Sequence, residues 1–376
     1  MGEYSRRIRD KILMLLPATQ PPTLKAFRTP MSDNQAFVFS QGARVLVTGV
    51  AGFIAARTAE LLLDQGVHVV GIDNLNDYYD VRLKRHRLDA LRKRKGFSFV
   101  EGDIERMDQL RPCFAEPQFS AVLNLAARAG VRASMDNPFV YLSTNALGTL
   151  NVLELMRANG VKKLVLASTS SLYAGEPVPF DEAMPVNTPF SPYAASKKAA
   201  EAMAHAYHHL YCTDVSVVRY FTVYGPASRP DMAIFRFIKW VDEQKPIQLS
   251  GDGLQSRDFT YVDDIADGTI RACKNVGFEI INLGGGKDSV TLLDIISRIE
   301  KLLGKPARIE THAFHKADVK ETRADIRKAQ RLLGWQPRVG IDDGLKHCVQ
   351  WYLENKHWVK DVEVSPEPRI AVPVAG

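Results

Sequence analysis

From residue 44 the chain alternates between short, mostly apolar runs and longer stretches in which apolar residues recur every three or four positions. RVLVT (44–48), VHVVGI (67–72), FSFV (97–100), AVLNL (121–125), KKLVLA (162–167) and VSVVR (215–219) are of the first kind. They are rich in β-branched residues and too short for helices, so they read as strands buried on both faces. GVAGFIAARTAELLLDQG (49–66) is a glycine turn followed by a helix that stops at Gly66, and SPYAASKKAAEAMAHAY (191–207) is a second helix. Strands of this type alternating with helices predict an α/β fold built on a parallel sheet. Beyond residue 220 the strands shorten and the loops lengthen, which predicts a second, smaller α/β domain assembled from non-contiguous pieces. The expected divisions are a peripheral extension at 1–42, a nucleotide-binding domain at 43–220, an interleaved substrate-binding domain at 221–360 and a frayed, proline-rich tail at 361–376.

Composition narrows the class. The chain has 376 residues, 45% hydrophobic and 24% charged, which suits a soluble protein with a substantial core and not a disordered one. No apolar run approaches the ~20 residues a membrane helix needs, and RRIRDKILMLL near the N-terminus is too thin in apolar residues for a signal-peptide core. The expectation is a cytoplasmic protein that neither enters a membrane nor binds nucleic acid. Cys113, Cys212, Cys273 and Cys348 are far apart and lack metal-type spacing, so reduced thiols are expected and no metal site. The net charge of +6 owes much to Arg6, Arg7, Arg9, Lys11, Lys25 and Arg28 in the extension. With no basic stripe interleaved with aromatics, an anionic small molecule is the simpler partner.

The first glycine turn carries chemistry. Gly49, Gly52 and Ala55 follow a strand and open a helix, where backbone can approach a pyrophosphate and the helix N-terminus offers N–H donors. Three small residues alone are a weak signal, but here Asp73 also closes the next strand. A carboxylate there accepts hydrogen bonds from the adenosine ribose and repels a 2′-phosphate, which favours NAD over NADP. The sheet is then a Rossmann doubly wound sheet. The basic run Arg82, Lys84, Arg85 and Arg87 lies further on at helical spacing and reads as a solvated helix face.

A second constellation lies downstream. Tyr193 and Lys197 stand four apart, one turn apart on the same helical face. A cation beside a phenol lowers its pKa from about 10 and makes a usable base. Upstream, Ser168, Thr169, Ser170 and Ser171 put four hydroxyls at a strand end.

GVAGFIA, Asp73, the hydroxyl run and YAASK together resemble the extended short-chain dehydrogenase/reductase family of NAD-dependent nucleotide-sugar epimerases and dehydratases. NLNDYYDVRLKRHRL, NLAARAGVRASMDNP, RYFTVYGPASRPDMA, GDGLQSRDFTYVDDI and ADIRKAQRLLGW are most similar to its UDP-glucuronate 4-epimerases, over residues 43 to 352. The resemblance implies tightly held NAD, a homodimer, and epimerisation of UDP-glucuronate to UDP-galacturonate through a 4-keto intermediate. It implies Thr169, Tyr193 and Lys197 as the catalytic set. Gly49, Gly52, Phe53, Ile54, Asp73, Asp103 and Lys197 would hold the cofactor. Thr222 and Arg229 would lie near C6 of the sugar, where Arg229 offers a bidentate fork to a carboxylate and Ser170 and Ser171 add hydroxyls. Arg132 would face the carboxylate or the diphosphate, Arg257 the diphosphate and Asp318 the ribose. His315 stands where related epimerases often have Arg. Sugar dehydratases of the family carry an Asp-Glu pair after the catalytic Thr, and UDP-glucuronate decarboxylases a Glu two residues after it. Ser170 and Ser171 occupy those positions, and neither is a strong acid or base. The alternatives are an epimerase of UDP-glucose or UDP-N-acetylglucosamine, a UDP-glucuronate decarboxylase disfavoured by Ser171, and a catalytically silent NAD-binding protein.

Overall fold

The computed structural model describes residues 37–115, 118–287, 289–313 and 319–364, all within one compact unit, Ala36–Gly376. Seven strands form its main sheet: β1 (Arg44–Thr48), β2 (His68–Asp73), β3 (Phe97–Glu101), β4 (Ala121–Asn124), β5 (Lys163–Thr169), β6 (Asp214–Tyr220) and β7 (Phe278–Leu283). Their spatial order is β7-β6-β5-β4-β1-β2-β3, and every pairing is parallel. This is the doubly wound order that reverses at β1, extended at one edge. Six of these strands were read from their apolar runs in the sequence. β7 was not, because it comes from the second half of the chain after a long excursion.

Burial explains why these segments are strands. Val45, Leu46 and Val47 of β1 and Leu164 and Val165 of β5 are fully buried, since helices cover both faces. The helices around the sheet include α1 (Phe53–Asp64), α2 (Val81–Arg92), α3 (Gly148–Ala158), α4 (Pro192–Tyr211) and α5 (Val262–Arg271). Beyond β6 the strands are short and pair in twos: Thr222–Tyr224 with Phe259–Tyr261, Pro246–Ser250 with Arg308–His312, and Ser256–Arg257 with Val290–Thr291. They form the smaller α/β part. A frayed tail was expected from 361, but Val362 and Val364 are buried in the core. Residues 1–36 and 365–376 lie outside the described residues. All four cysteines are free; three are buried and Cys212 is exposed. Among the described residues no helix is long and apolar enough to cross a membrane.

Candidate active site

The carboxyl ends of β1, β4 and β5 open into a cavity of about 400 Å³ where the strand order reverses, the position at which such sheets bind ligands. On one side it is lined by the glycine turn. Gly49 has φ +67°, and a Cβ there would lie 2.7 Å from the Cα of Ala126. Only glycine lets these two loops approach so closely. Gly52 is the N-cap of α1, with no side-chain cap on the first-turn N–H groups. Asp73 Oδ2 accepts from the Ala51 N–H at 3.1 Å and Oδ1 from the Leu75 N–H at 2.8 Å. Phe53, Ile54 and Asp103 line the same end, and Asn74 Nδ2 donates to Asp103 Oδ2 at 2.7 Å. A close backbone approach, an uncapped helix N-terminus and a carboxylate at the end of β2 fit a dinucleotide with a free 2′-hydroxyl.

On the other side stand Thr169, Ser170, Ser171, Tyr193, Lys197, Thr222 and Arg229. Thr169 ends β5 in extended conformation, and its hydroxyl accepts the N–H of Ser171 at 3.1 Å. The Ser168 hydroxyl is engaged elsewhere. It donates to Glu201 at 2.6 Å, and Glu201 is gripped by Arg219 through Nε at 2.9 Å and Nη2 at 2.8 Å. Arg219 also donates to the hydroxyl of Tyr173, which donates to Asn282 of β7, each at 2.8 Å. This buried network lies one turn beyond Lys197 on α4 and fixes the strand end above it. Ser191 caps α4 by accepting the Ala194 N–H at 3.2 Å, with Pro192 in the first turn. A single π turn, Ser143–Leu147, turns Asn145 so that it donates to Ser196 Oγ at 2.8 Å and accepts the Arg128 N–H at 2.9 Å. It thereby ties the loop after β4 to the helix carrying Tyr193.

The electrostatics correct one expectation. Burial raises the Tyr193 pKa, while the neighbouring Thr169 hydroxyl and the charge of Arg229 pull it down. Lys197 is not among those influences; its Nζ donates to the Ala167 carbonyl at 2.9 Å. Burial lowers Lys197 to about 8, with Glu201 acting the other way. In this arrangement the neighbours that favour the phenolate are Thr169 and Arg229.

A second correction concerns the basic run. Arg82 and Arg85 are exposed as expected, but Lys84 and Arg87 are buried. Lys84 borders the cavity with Nζ 3.8 Å from Asp73 Oδ1, and burial takes its pKa down to about 8 although Asp73 raises it. Arg87 donates to the carbonyls of Ala51 at 2.8 Å and Ala227 at 2.6 Å. The signal was in the helical period, which puts Lys84 and Arg87 on one face with Leu88 and Leu91.

Two expected residues stand apart from this cavity. Arg132 donates to Ser250 Oγ at 3.2 Å and Arg257 to the Ser256 carbonyl at 2.8 Å, and neither lines this cavity. Asp318 lies outside the described residues, as does His315. Conversely, Tyr78, Arg128 and Asp231 line the cavity without having been singled out. The Tyr78 ring has the guanidinium groups of Arg128 and Arg229 within cation–π reach, 5.6 and 5.5 Å from its centroid. Asp231 pairs with Arg229. All three were visible only as letters inside NLNDYYD, NLAARAG and RPDMA.

Comparison with known proteins agrees with this geometry. A UDP-glucuronate 4-epimerase from Thermodesulfobacterium geofontis is 59% identical over 319 residues, covering 85% of this chain and 99% of that protein. The crystal structure of a UDP-glucuronic acid 4-epimerase from Bacillus cereus, in complex with UDP-glucuronic acid and NAD, matches with a TM-score of 0.77 at 37% identity, covering 83% of this chain and 99% of that one. A UDP-glucose 4-epimerase from Thermotoga maritima, solved with UDP-glucose, matches with a TM-score of 0.75 at 28% identity, covering 83% and 99%. The model of the NAD dependent epimerase/dehydratase family matches residues 45–284. With the glycine turn, Asp73 and the Tyr193–Lys197 helix facing one cavity, the chain belongs to that family.

Proposed function

We propose that the protein interconverts UDP-glucuronate and UDP-galacturonate by NAD-dependent epimerisation at C4. The observation that carries this reading is the meeting, in one cavity, of the glycine turn and Asp73 with Thr169, Tyr193 and Lys197, where Ser170 and Ser171 stand in place of acids. Gly49, Gly52, Phe53, Ile54, Asp73 and Asp103 would hold NAD, which would supply a reversible acceptor for the C4 hydride. Tyr193 Oη takes the proton of the C4 hydroxyl and gives it back after the keto sugar has turned over. Thr169 supports the phenolate and orients the hydroxyl. Ser170 and Ser171 hold the sugar by neutral hydrogen bonds and cannot drive elimination. The residues assigned from the resemblance to the cofactor and the sugar keep those roles in this reading, with Arg132 facing the carboxylate or the diphosphate, Arg257 the diphosphate and Asp318 the ribose.

The test is to denature the purified protein and identify the released nucleotide, then to incubate native enzyme with UDP-glucuronate and separate the products. We expect NAD, and UDP-galacturonate at an equilibrium ratio. Stoichiometric NADP would overturn the cofactor reading. A wild type that ignores UDP-glucuronate but converts UDP-glucose would overturn the substrate reading. The Arg229–Asp231 pair favours keeping UDP-glucose as the second reading, because a guanidinium already balanced by a carboxylate does not require another.

The same reading includes a cytoplasmic homodimer. The support for the dimer is exposed apolar side chains: Phe139, 76% exposed, and Leu142, 57%, in the segment Pro138–Leu142 that packs beside α4, and Leu210, 63%, on α4 itself. Cell fractionation and light scattering on the purified protein test the two parts.

A further inference from the structure

Arg229 is held by a neighbour two residues along the chain. Its Nε donates to Asp231 Oδ1 at 3.0 Å and its Nη2 to Asp231 Oδ2 at 2.5 Å, the parallel fork of a bidentate ion pair. Both side chains line the cavity and both are mostly buried, 18% and 23% exposed. Tyr78 covers one face of the guanidinium. Burial alone would weaken the charge of Arg229; Asp231 more than restores it. The pair occupies the Nε–Nη2 edge of the guanidinium. Its Nη1 edge is the one on which a second carboxylate could dock.

We propose that Asp231 is a resident counter-ion that competes with the C6 carboxylate of the sugar for Arg229, and so sets how tightly and how selectively an acidic sugar is held; this rests on the reading of the site given above. One cation cannot fully balance two carboxylates side by side. Without Asp231 the site would hold a buried, unpaired cation until an acidic sugar arrived, and the grip on that sugar would be strong. With Asp231 the site is balanced at rest and the grip is moderate. An epimerase of this type must let its 4-keto sugar turn between the two hydride transfers. A clamp that binds ground states too firmly raises affinity at the expense of turnover. Asp231 takes Arg229 back when the sugar carboxylate leaves it, so release does not strand a buried charge.

The experiment uses the full-length, NAD-loaded protein and calorimetric titration with UDP-glucuronate and UDP-glucose. Asp231→Asn keeps the shape and one acceptor oxygen but removes the charge. It should raise the preference for UDP-glucuronate over UDP-glucose by roughly tenfold to a hundredfold, the worth of a charge-assisted contact. KM for UDP-glucuronate should fall together with kcat. Arg229→Ala should lose UDP-glucuronate far more than UDP-glucose, and adding Asp231→Asn to it should recover part of that loss by removing a lone carboxylate. If Asp231→Asn alone does not accumulate folded, the comparison of Arg229→Ala with the double variant carries the test. Equal shifts for both sugars, or a double variant that binds UDP-glucuronate no better than Arg229→Ala, would overturn the proposal. A wild type inactive on UDP-glucuronate would instead overturn the underlying reading, so the two failures are distinct.

Discussion

Tyr193 is set by its neighbours more than by its own helix. With burial raising its pKa and Thr169 and Arg229 lowering it, the phenolate depends on contacts that sequence spacing does not display. Tyr193→Phe should cut turnover by roughly 10² or more with UDP-sugar binding retained, measured as kcat and as an equilibrium titration. Thr169→Val has a signed consequence. The base works deprotonated, so the rate climbs as pH rises through the Tyr193 pKa. Removing the hydroxyl that favours the phenolate moves that pKa further up, and the climb should shift to higher pH, with Thr169→Ser restoring it. An unchanged pH profile at a lower rate would assign Thr169 to orienting the sugar only. The i, i+4 pair, the hydroxyl run, the glycine turn and Asp73 were all legible, because each is a local pattern with one chemical meaning. The Lys197–Ala167 bond, the Arg229–Asp231 pair and the burial of Lys84 were not, because each depends on what a side chain meets across the fold. Lys84 beside Asp73 suggests a further outcome. Asp73→Ser removes the repulsion of a 2′-phosphate and leaves a cation 3.8 Å from where it stood. The nucleotide released from that variant should include NADP; pure NAD would mean that Lys84 does not reach the 2′ position.

At the scale of elements, strands and helices of the first half followed from period alone, since doubly buried strands and amphipathic helices leave different spacings. Period could not say which face of α2 is which until Leu88 and Leu91 are used to fix it. Nor could it foresee the π turn at Ser143–Leu147, which is a departure from the helical period. The tightest joint between elements is at Gly49. Gly49→Ala would place a methyl group against the backbone of Ala126 at a positive φ, where a side chain is strained and overpacked by about 2 kcal/mol or more. We expect a melting temperature lower by several degrees and poor retention of cofactor. A variant as stable as wild type and fully loaded would show that the β1 and β4 loops can part freely.

At the scale of the whole molecule, the exposed apolar face beside α4 is the feature that a lone chain leaves unexplained. Phe139→Glu and Leu142→Glu together should turn a dimer into a monomer in light scattering while leaving the circular dichroism spectrum unchanged; a wild type already monomeric at micromolar concentration would remove this reading. The route of the chain has a consequence of its own. β7 completes the sheet on β6, with Phe278 beside Val215 and Leu283 beside Tyr220, and its Asn282 meets Tyr173 under the hydroxyl run. During synthesis the first six strands therefore leave the ribosome with an open edge at β6, and an open edge invites pairing with other chains. The nucleotide-binding half should wait for residues more than fifty positions ahead, so it matures late and not in the order it is translated. Nascent chains stalled at increasing lengths would read this directly. Protease resistance of residues 43–220 should appear only after Leu283 has emerged, and resistance in chains that end before Phe278 would show that the half folds alone.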